Sequence, residues 1–217
     1  MLLQPLASLT DLALGLVSLV LATRVPRDVE GASYWRAAFA WTAATALIGA
    51  AYHGFLTGRP TWGEVTWAVM STMVVVVMSY LLAATVVQVL GRSRAIVFWP
   101  LRLIGFIAYA VIAATGHPSI EAIMWCESLT MACVVGLWVW GWLRGHPSGR
   151  AMLIAIGVTI VGAAFRLVPG ASDLLHIDPD SAYHLGQIAG MVLLARAVAQ
   201  GQVVVPVPPD PARVDGG

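Results

Sequence analysis

The 217-residue sequence contains no lysine and no asparagine. Without a lysine amine no Schiff base can form, which excludes retinal-type pumps and sensors and pyridoxal enzymes, however helical the chain proves to be. Without asparagine, Asn-linked glycosylation is excluded as well. Charge is also scarce, at 11% of residues, against about 25% in an average globular chain. Hydrophobic residues make up 59% and the mean hydropathy is +0.82. Such a chain lacks the polar surface to cover a water-facing sphere of its size, so lipid must be most of its solvent. Cysteine occurs only as Cys126 and Cys133, whose Cα atoms a helix would hold roughly 10 Å apart. That is too far for a bridge, and both read as small apolar packing residues.

What is present is a series of apolar runs of about 20 residues, the length of a membrane-spanning helix. Prolines and short polar clusters divide them into seven: Pro5 to Thr23, Ala32 to Leu56, Trp62 to Leu90, Arg94 to Thr115, Pro118 to Leu143, Arg150 to Val168 and Pro179 to Gln200. The predicted fold is an all-α integral membrane protein, a seven-transmembrane-helix bundle over residues 1–200. Pro5, Pro118 and Pro179 sit where a first-turn proline belongs. Pro100 falls inside the fourth span and predicts that this helix starts later or kinks at its inner end.

Arginine placement orients the bundle, because cytoplasmic helix ends are enriched in positive residues. Arg24, Arg27, Arg36, Arg92, Arg94, Arg102, Arg144, Arg150, Arg196 and Arg213 fall on one side, and Arg59 and Arg166 on the other. The N-terminus is therefore expected outside and the C-terminus in the cytoplasm. The first apolar stretch reads as a retained helix instead of a signal peptide, since its positive residues follow the apolar core. Trp35, Trp99, Trp138, Trp140 and Trp142 would lie near the inner boundary and Trp62 near the outer one. The segment 201–217, with Pro206, Pro208, Pro209 and Pro211, reads as a disordered Pro-rich cytoplasmic tail. With no ectodomain or output domain expected, function belongs within the bundle. The lack of lysine and asparagine, with abundant Ala, Val, Gly and Arg, suggests a GC-rich bacterial genome, hence a bacterial plasma membrane.

In this frame the polar residues collect at the outer end: His53, His117, His176 and His184 with Asp11, Glu64, Glu121, Glu127, Asp173, Asp178 and Asp180. His53 is roughly 6 Å below the outer end of helix 2 and His184 roughly 7 Å below that of helix 7. Asp180 precedes His184 by four residues and shares its helix face. Two imidazoles and a carboxylate at one depth make a metal site, so His53, Asp180 and His184 are the candidate ligands. Several positions have plainer explanations. Asp178-Pro179-Asp180 is patterned as an N-cap, a first-turn proline and a dipole-matching acid, and Thr61-x-x-Glu64 and Ser8-x-x-Asp11 as capping boxes. Glu127 has no such explanation: it lies about 13 Å into helix 5, must be paired, protonated or beside water, and has Arg166 as its most obvious ionic partner.

The arrangement resembles the CREST superfamily of membrane proteins, which includes alkaline ceramidases and adiponectin-receptor-like proteins, seven-helix bundles with zinc. In that family a histidine near the end of helix 2 and two from a His-x-x-x-His on helix 7 hold the metal, with a helix-3 aspartate near the bound water. His53 stands in the helix-2 place. Asp180-Ser181-Ala182-Tyr183-His184-Leu185 is similar to the family's His-x-x-aromatic-His-Leu, with Asp180 for the first histidine. Glu64 follows His53 by about the spacing of the family's aspartate, and the family serine four residues before the helix-2 histidine is Gly49 here.

The resemblance implies a zinc-dependent membrane hydrolase acting on a lipid amide or ester at an outer-side site. His53, Asp180 and His184 would bind zinc, Glu64 would carry the proton to the leaving group, and Glu127 would orient the site or contact a headgroup. Membrane lipids are the expected partners, including a lipid-like substrate, and nucleic acid is not. The alternative is a non-catalytic seven-helix sensor, small-molecule binder or complex component; a proton-coupled carrier would rest on Glu127 alone.

Overall fold

The computed structural model describes residues 2–115, 119–168, 170 and 176–201. His117, Asp173, the side chain of Glu121 and the segment 202–217 lie outside the described residues. Among those described there are seven α-helices and no strand: α1 Pro5–Arg24, α2 Ala32–Ala51, α3 Pro60–Leu90, α4 Phe98–Ala114, α5 Ser119–Leu143, α6 Gly149–Leu167 and α7 Pro179–Gln200. A π-helical turn, Tyr52–Leu56, continues α2, and a 3-10 turn, Arg92–Val97, precedes α4. α1 and α7 begin on Pro5 and Pro179 as expected, and Pro100 sits in the first turn of an α4 that starts later than its apolar run. α3 begins on Pro60, two residues before the expected start at Trp62, because a proline is as well placed in a first turn as in a connection; Pro118 lies outside the described residues.

Six of these helices are long and apolar enough to cross a membrane: α1, α3, α5, α6, α7, and α4 together with its 3-10 turn. α2 is outside that group because alanine, threonine, tyrosine and tryptophan replace the Leu, Ile and Val that dominate its neighbours. Six helices close a ring in the order α1, α2, α3, α5, α6, α7 and back to α1. α4 stands outside the ring, leaning on α5 and only lightly on α3. The closest approach is between α6 and α7, where Gly162 and Gly186 face each other with no room for a Cβ on either; small residues let such helices pack in an apolar solvent.

The core gathers at the arginine-rich end. Trp35 and Trp138, expected at the membrane boundary, are fully buried there with Phe39, Leu82, Val86 and Met152. Each indole N–H needs a partner when buried. Trp35 donates to Gln88 Oε1 at 2.8 Å and Trp138 to Thr85 Oγ1 at 3.2 Å. Of the others expected at a boundary, Trp99, Trp140 and Trp142 are exposed, and so is Trp62 toward the other end. At the other end, the first residues are tied to the π turn: Leu3 N–H donates to the Gly54 carbonyl and Gln4 N–H to that of His53. This clasp brings the start of α1 against the end of α2, with α7 alongside α1.

Candidate metal centre

Three buried side chains from three elements converge where the ring closes: Asp11 of α1, His53 of the π turn and His184 of α7. One ligand atom from each lies within 4.8 Å of the others. Asp11 bridges the imidazoles, with Oδ1 at 3.3 Å from His184 Nε2 and Oδ2 at 3.8 Å from His53 Nε2. The rings stand edge to face, their centroids 5.8 Å apart.

The outer nitrogens of both rings are engaged. Gln4 Oε1 can only accept, so His53 Nδ1–H donates to it at 2.5 Å. Thr10 Oγ1 has the Leu6 and Ala7 carbonyls, each at 3.0 Å, as acceptors for its single proton and lies 3.1 Å from His184 Nδ1, which with the proton on Nδ1 can donate to the hydroxyl. With the proton on Nδ1, each neutral ring turns the lone pair of Nε2 toward the carboxylate. Two lone pairs and an anion facing one another in a buried site repel unless a cation or a proton lies between them. Metal-binding histidines have this same construction, one nitrogen toward the ion and the other donating to a fixed oxygen. Tetrahedral zinc with ligand bonds of about 2.0–2.1 Å sets ligand atoms about 3.3–3.4 Å apart, close to the observed Asp11–His184 separation.

The carboxylate in this group is not Asp180, as the i, i+4 spacing suggested. Asp180 sits one turn nearer the helix end, where its Oδ1 accepts from Arg166 Nε at 3.0 Å. The ligand comes instead from the first helix. Ser8 and Asp11 form no capping box, because α1 starts at Pro5 and Ser8 is already inside it, donating from Oγ to the Ala50 carbonyl. What admits Asp11 is Gly49. A Cβ at that position would collide with Asp11 Oδ2 and come within 3.0 Å of Cγ. The carboxylate thus fills the space that a side chain at position 49 would occupy.

Outside the cluster a cavity of about 340 Å³ reaches His53 and is walled by Gln4, Glu64, Trp67, Arg166 and Asp180. Glu64 is exposed on this wall and takes no part in capping α3. Tyr52 and Trp67 contribute an aromatic side, with ring centroids 5.9 Å apart. The expected cap of α7 is present: Asp178 accepts from Ser181 N–H at 2.9 Å and from its hydroxyl. Burial alone would raise the Asp178 pKa, but these hydrogen bonds outweigh it and hold the carboxyl below its ordinary value. His176 is exposed in the connection before α7.

Glu127 is not brought to this site. α5 packs on α3, α4 and α6 and touches neither α1 nor α7. Glu127 Oε1 accepts from Arg102 Nη2 of α4 at 3.2 Å, and not from Arg166. Arg102 is 1% exposed; it also donates to Thr130 Oγ1 at 2.5 Å and to the Val75 carbonyl at 3.1 Å, and stacks over Phe106. Its position in the sequence groups it with the basic end, whereas its long side chain reaches the acid on the neighbouring helix.

The sequence belongs to the DUF6962 family, a family of unknown function whose profile matches residues 6–203. No curated protein and no solved structure matches it.

Proposed function

We propose that this DUF6962 protein is a membrane metalloprotein in which Asp11, His53 and His184 hold one divalent ion, zinc, and that it hydrolyses an amide or ester of a lipid. The observation that carries the reading is the pair of imidazoles, each fixed through Nδ1 and each presenting Nε2 to one buried carboxylate. Two nitrogens and one oxygen are a donor set suited to catalytic zinc. When bound, the ion would supply Lewis-acid polarisation of a carbonyl and activation of water.

The remaining roles belong to the chain. The cavity at His53 gives the site an approach for substrate and water. Glu64 on its wall is the carboxylate available to take up a proton and return it to the leaving group. Arg166, neutralised by Asp180, closes the rim. Glu127, held by Arg102 on helices that do not reach the cluster, has no part in the proposed chemistry. The resemblance to CREST proteins supports the same chemistry with a changed ligand set. Seven crossings with the N-terminus outside, as the arginine distribution suggests, would open the cavity to the outer leaflet of a bacterial plasma membrane.

One observation favours the non-catalytic alternative, a sensor, small-molecule binder or complex component: Glu64, the candidate base, is exposed and stands outside the Asp11–His53–His184 group. The two readings separate at turnover. Elemental mass spectrometry of detergent-purified protein should find one zinc per chain, lost in His53→Ala, His184→Ala and Asp11→Asn. Wild type should then release fatty acid from lipid amides or esters in mixed micelles, and Glu64→Gln should keep the metal but lose the activity. Wild type free of metal after metal-replete purification would overturn the centre. Stoichiometric zinc without turnover across a lipid panel would leave the binder.

A further inference from the structure

A second cavity lies at the opposite, arginine-rich end, on helices the proposed centre does not use. The 3-10 turn packs on α3 whereas α4 itself leans on α5 and only lightly on α3, and a cleft of about 580 Å³ lies beside α3 at the first turn of α4. Its walls include Tyr34, Ser79, Tyr80, Ala83, Phe98 and Trp99. Along α3 it runs from Val76 to Val87, about 16 Å at the helical rise. That is close to the hydrocarbon depth of one leaflet, half of a core about 30 Å thick. The lining is apolar apart from the tyrosine and serine hydroxyls, and the Ser79 hydroxyl is turned onto the Val75 carbonyl.

The mouth has a different character. The 3-10 turn that closes it carries Arg92 and Arg94, both exposed, followed by Ile96 and Trp99, 72% and 65% exposed. Glu30 Oε1 accepts from the Arg92 backbone N–H at 2.8 Å, and the turn itself carries two guanidinium groups and no acid. Exposed tryptophan and isoleucine beside two guanidinium groups match the boundary between headgroups and chains. Arginine pairs with phosphate through its planar fork of donors.

We propose that the α3–α4 cleft is a binding site for one anionic phospholipid, with an acyl chain between Tyr80, Ala83 and Phe98 and the phosphate at Arg92 and Arg94. An apolar slot one leaflet deep, ending at a basic turn, fits a chain with a negative headgroup and gives a zwitterionic lipid less. The site does not depend on the metal centre, so either can fail without the other.

The test is native mass spectrometry of the full chain, delipidated in detergent and titrated with phosphatidylglycerol or phosphatidylcholine. Wild type should retain one phosphatidylglycerol with at least about a ten-fold preference over phosphatidylcholine. The exposed-residue variant Arg92→Gln/Arg94→Gln should fold normally and lose that preference, while Ala83→Leu, which fills the slot, should weaken retention of both lipids. Equal retention of the two lipids by wild type would overturn the proposal, as would a preference that survives the double substitution. Unchanged retention in Ala83→Leu would place the lipid on the open basic surface instead and would equally sink the cleft.

Discussion

The dependence of the metal centre on a missing side chain can be tested with a single methyl group. In Gly49→Ala, the new Cβ would lie against Asp11 Oδ2 at a separation real Cβ contacts do not show, and 3.0 Å from Cγ. Restoring ordinary contact requires the carboxylate to retreat by about 1 Å. Its two nitrogen neighbours stand at 3.3 and 3.8 Å, so a shift of that size takes the oxygen out of the common centre. Disturbing groups that merely support a ligand costs about 10–100-fold in metal affinity. Displacing a ligand should cost at least the upper figure, about 2.8 kcal/mol at 1.4 kcal/mol per decade.

Stability should change much less. Overpacking costs about 1–3 kcal/mol, and replacing a helical glycine by alanine returns about 1 kcal/mol. The net loss is therefore at most about 2 kcal/mol, or about 4–8 °C in Tm for a chain of this size. The assay is zinc affinity by chelator competition on metal-stripped protein, with melting followed in parallel. Gly136→Ala is the control, since a Cβ there meets nothing within 4 Å. Zinc affinity in Gly49→Ala within three-fold of wild type would refute the argument that Gly49 makes room for Asp11.

Three other outcomes follow from the same structure. Asp180→Asn should leave bound zinc within two-fold of wild type, because Asp180 is paired to Arg166; loss of the metal would restore Asp180 to the ligand set. Arg102→Met should cost about 3–5 kcal/mol in chemical unfolding, since Glu127 would remain buried without its cation, and Arg102→Met/Glu127→Gln should recover most of it; an unrecovered double variant would show that packing of the arginine stem dominates. His146, in the connection between α5 and α6, accepts from Ser148 N–H on Nδ1 and donates from Nε2 to the Gln88 carbonyl. Burial holds its pKa below the ordinary histidine value, so its contribution to stability is complete above about pH 6.5 and is lost as pH falls through the depressed value. Melting between pH 7.5 and 5 should therefore decline less in His146→Gln than in wild type, and parallel curves would remove His146 from the acid response.

How far the sequence reaches is set by geometry. Apolar runs and prolines report position along the membrane normal, which is why the helix starts at Pro5 and Pro179 and the common depth of His53 and His184 could be read from it. A single sequence does not report which helix stands beside which. That α1 closes the ring against α7, and that α4 stands outside it, are properties of packing. Both misplaced carboxylates trace to this gap. Asp180 shares a helix with His184, where i, i+4 arithmetic works, whereas the observed partner is 173 residues away in sequence. Shared depth pairs Glu127 with Arg166, although Arg102 on the adjoining helix reaches it. Two signals in the sequence point to the observed ligand. A helix starting at Pro5 is incompatible with a cap at Ser8, which leaves Asp11 an acid inside an apolar helix with no local role. The glycine at position 49 marks a side chain's worth of space facing a neighbour. Read together, an acid without a local function and a gap without a side chain at the same depth are complementary, and that pairing is what Gly49→Ala would break.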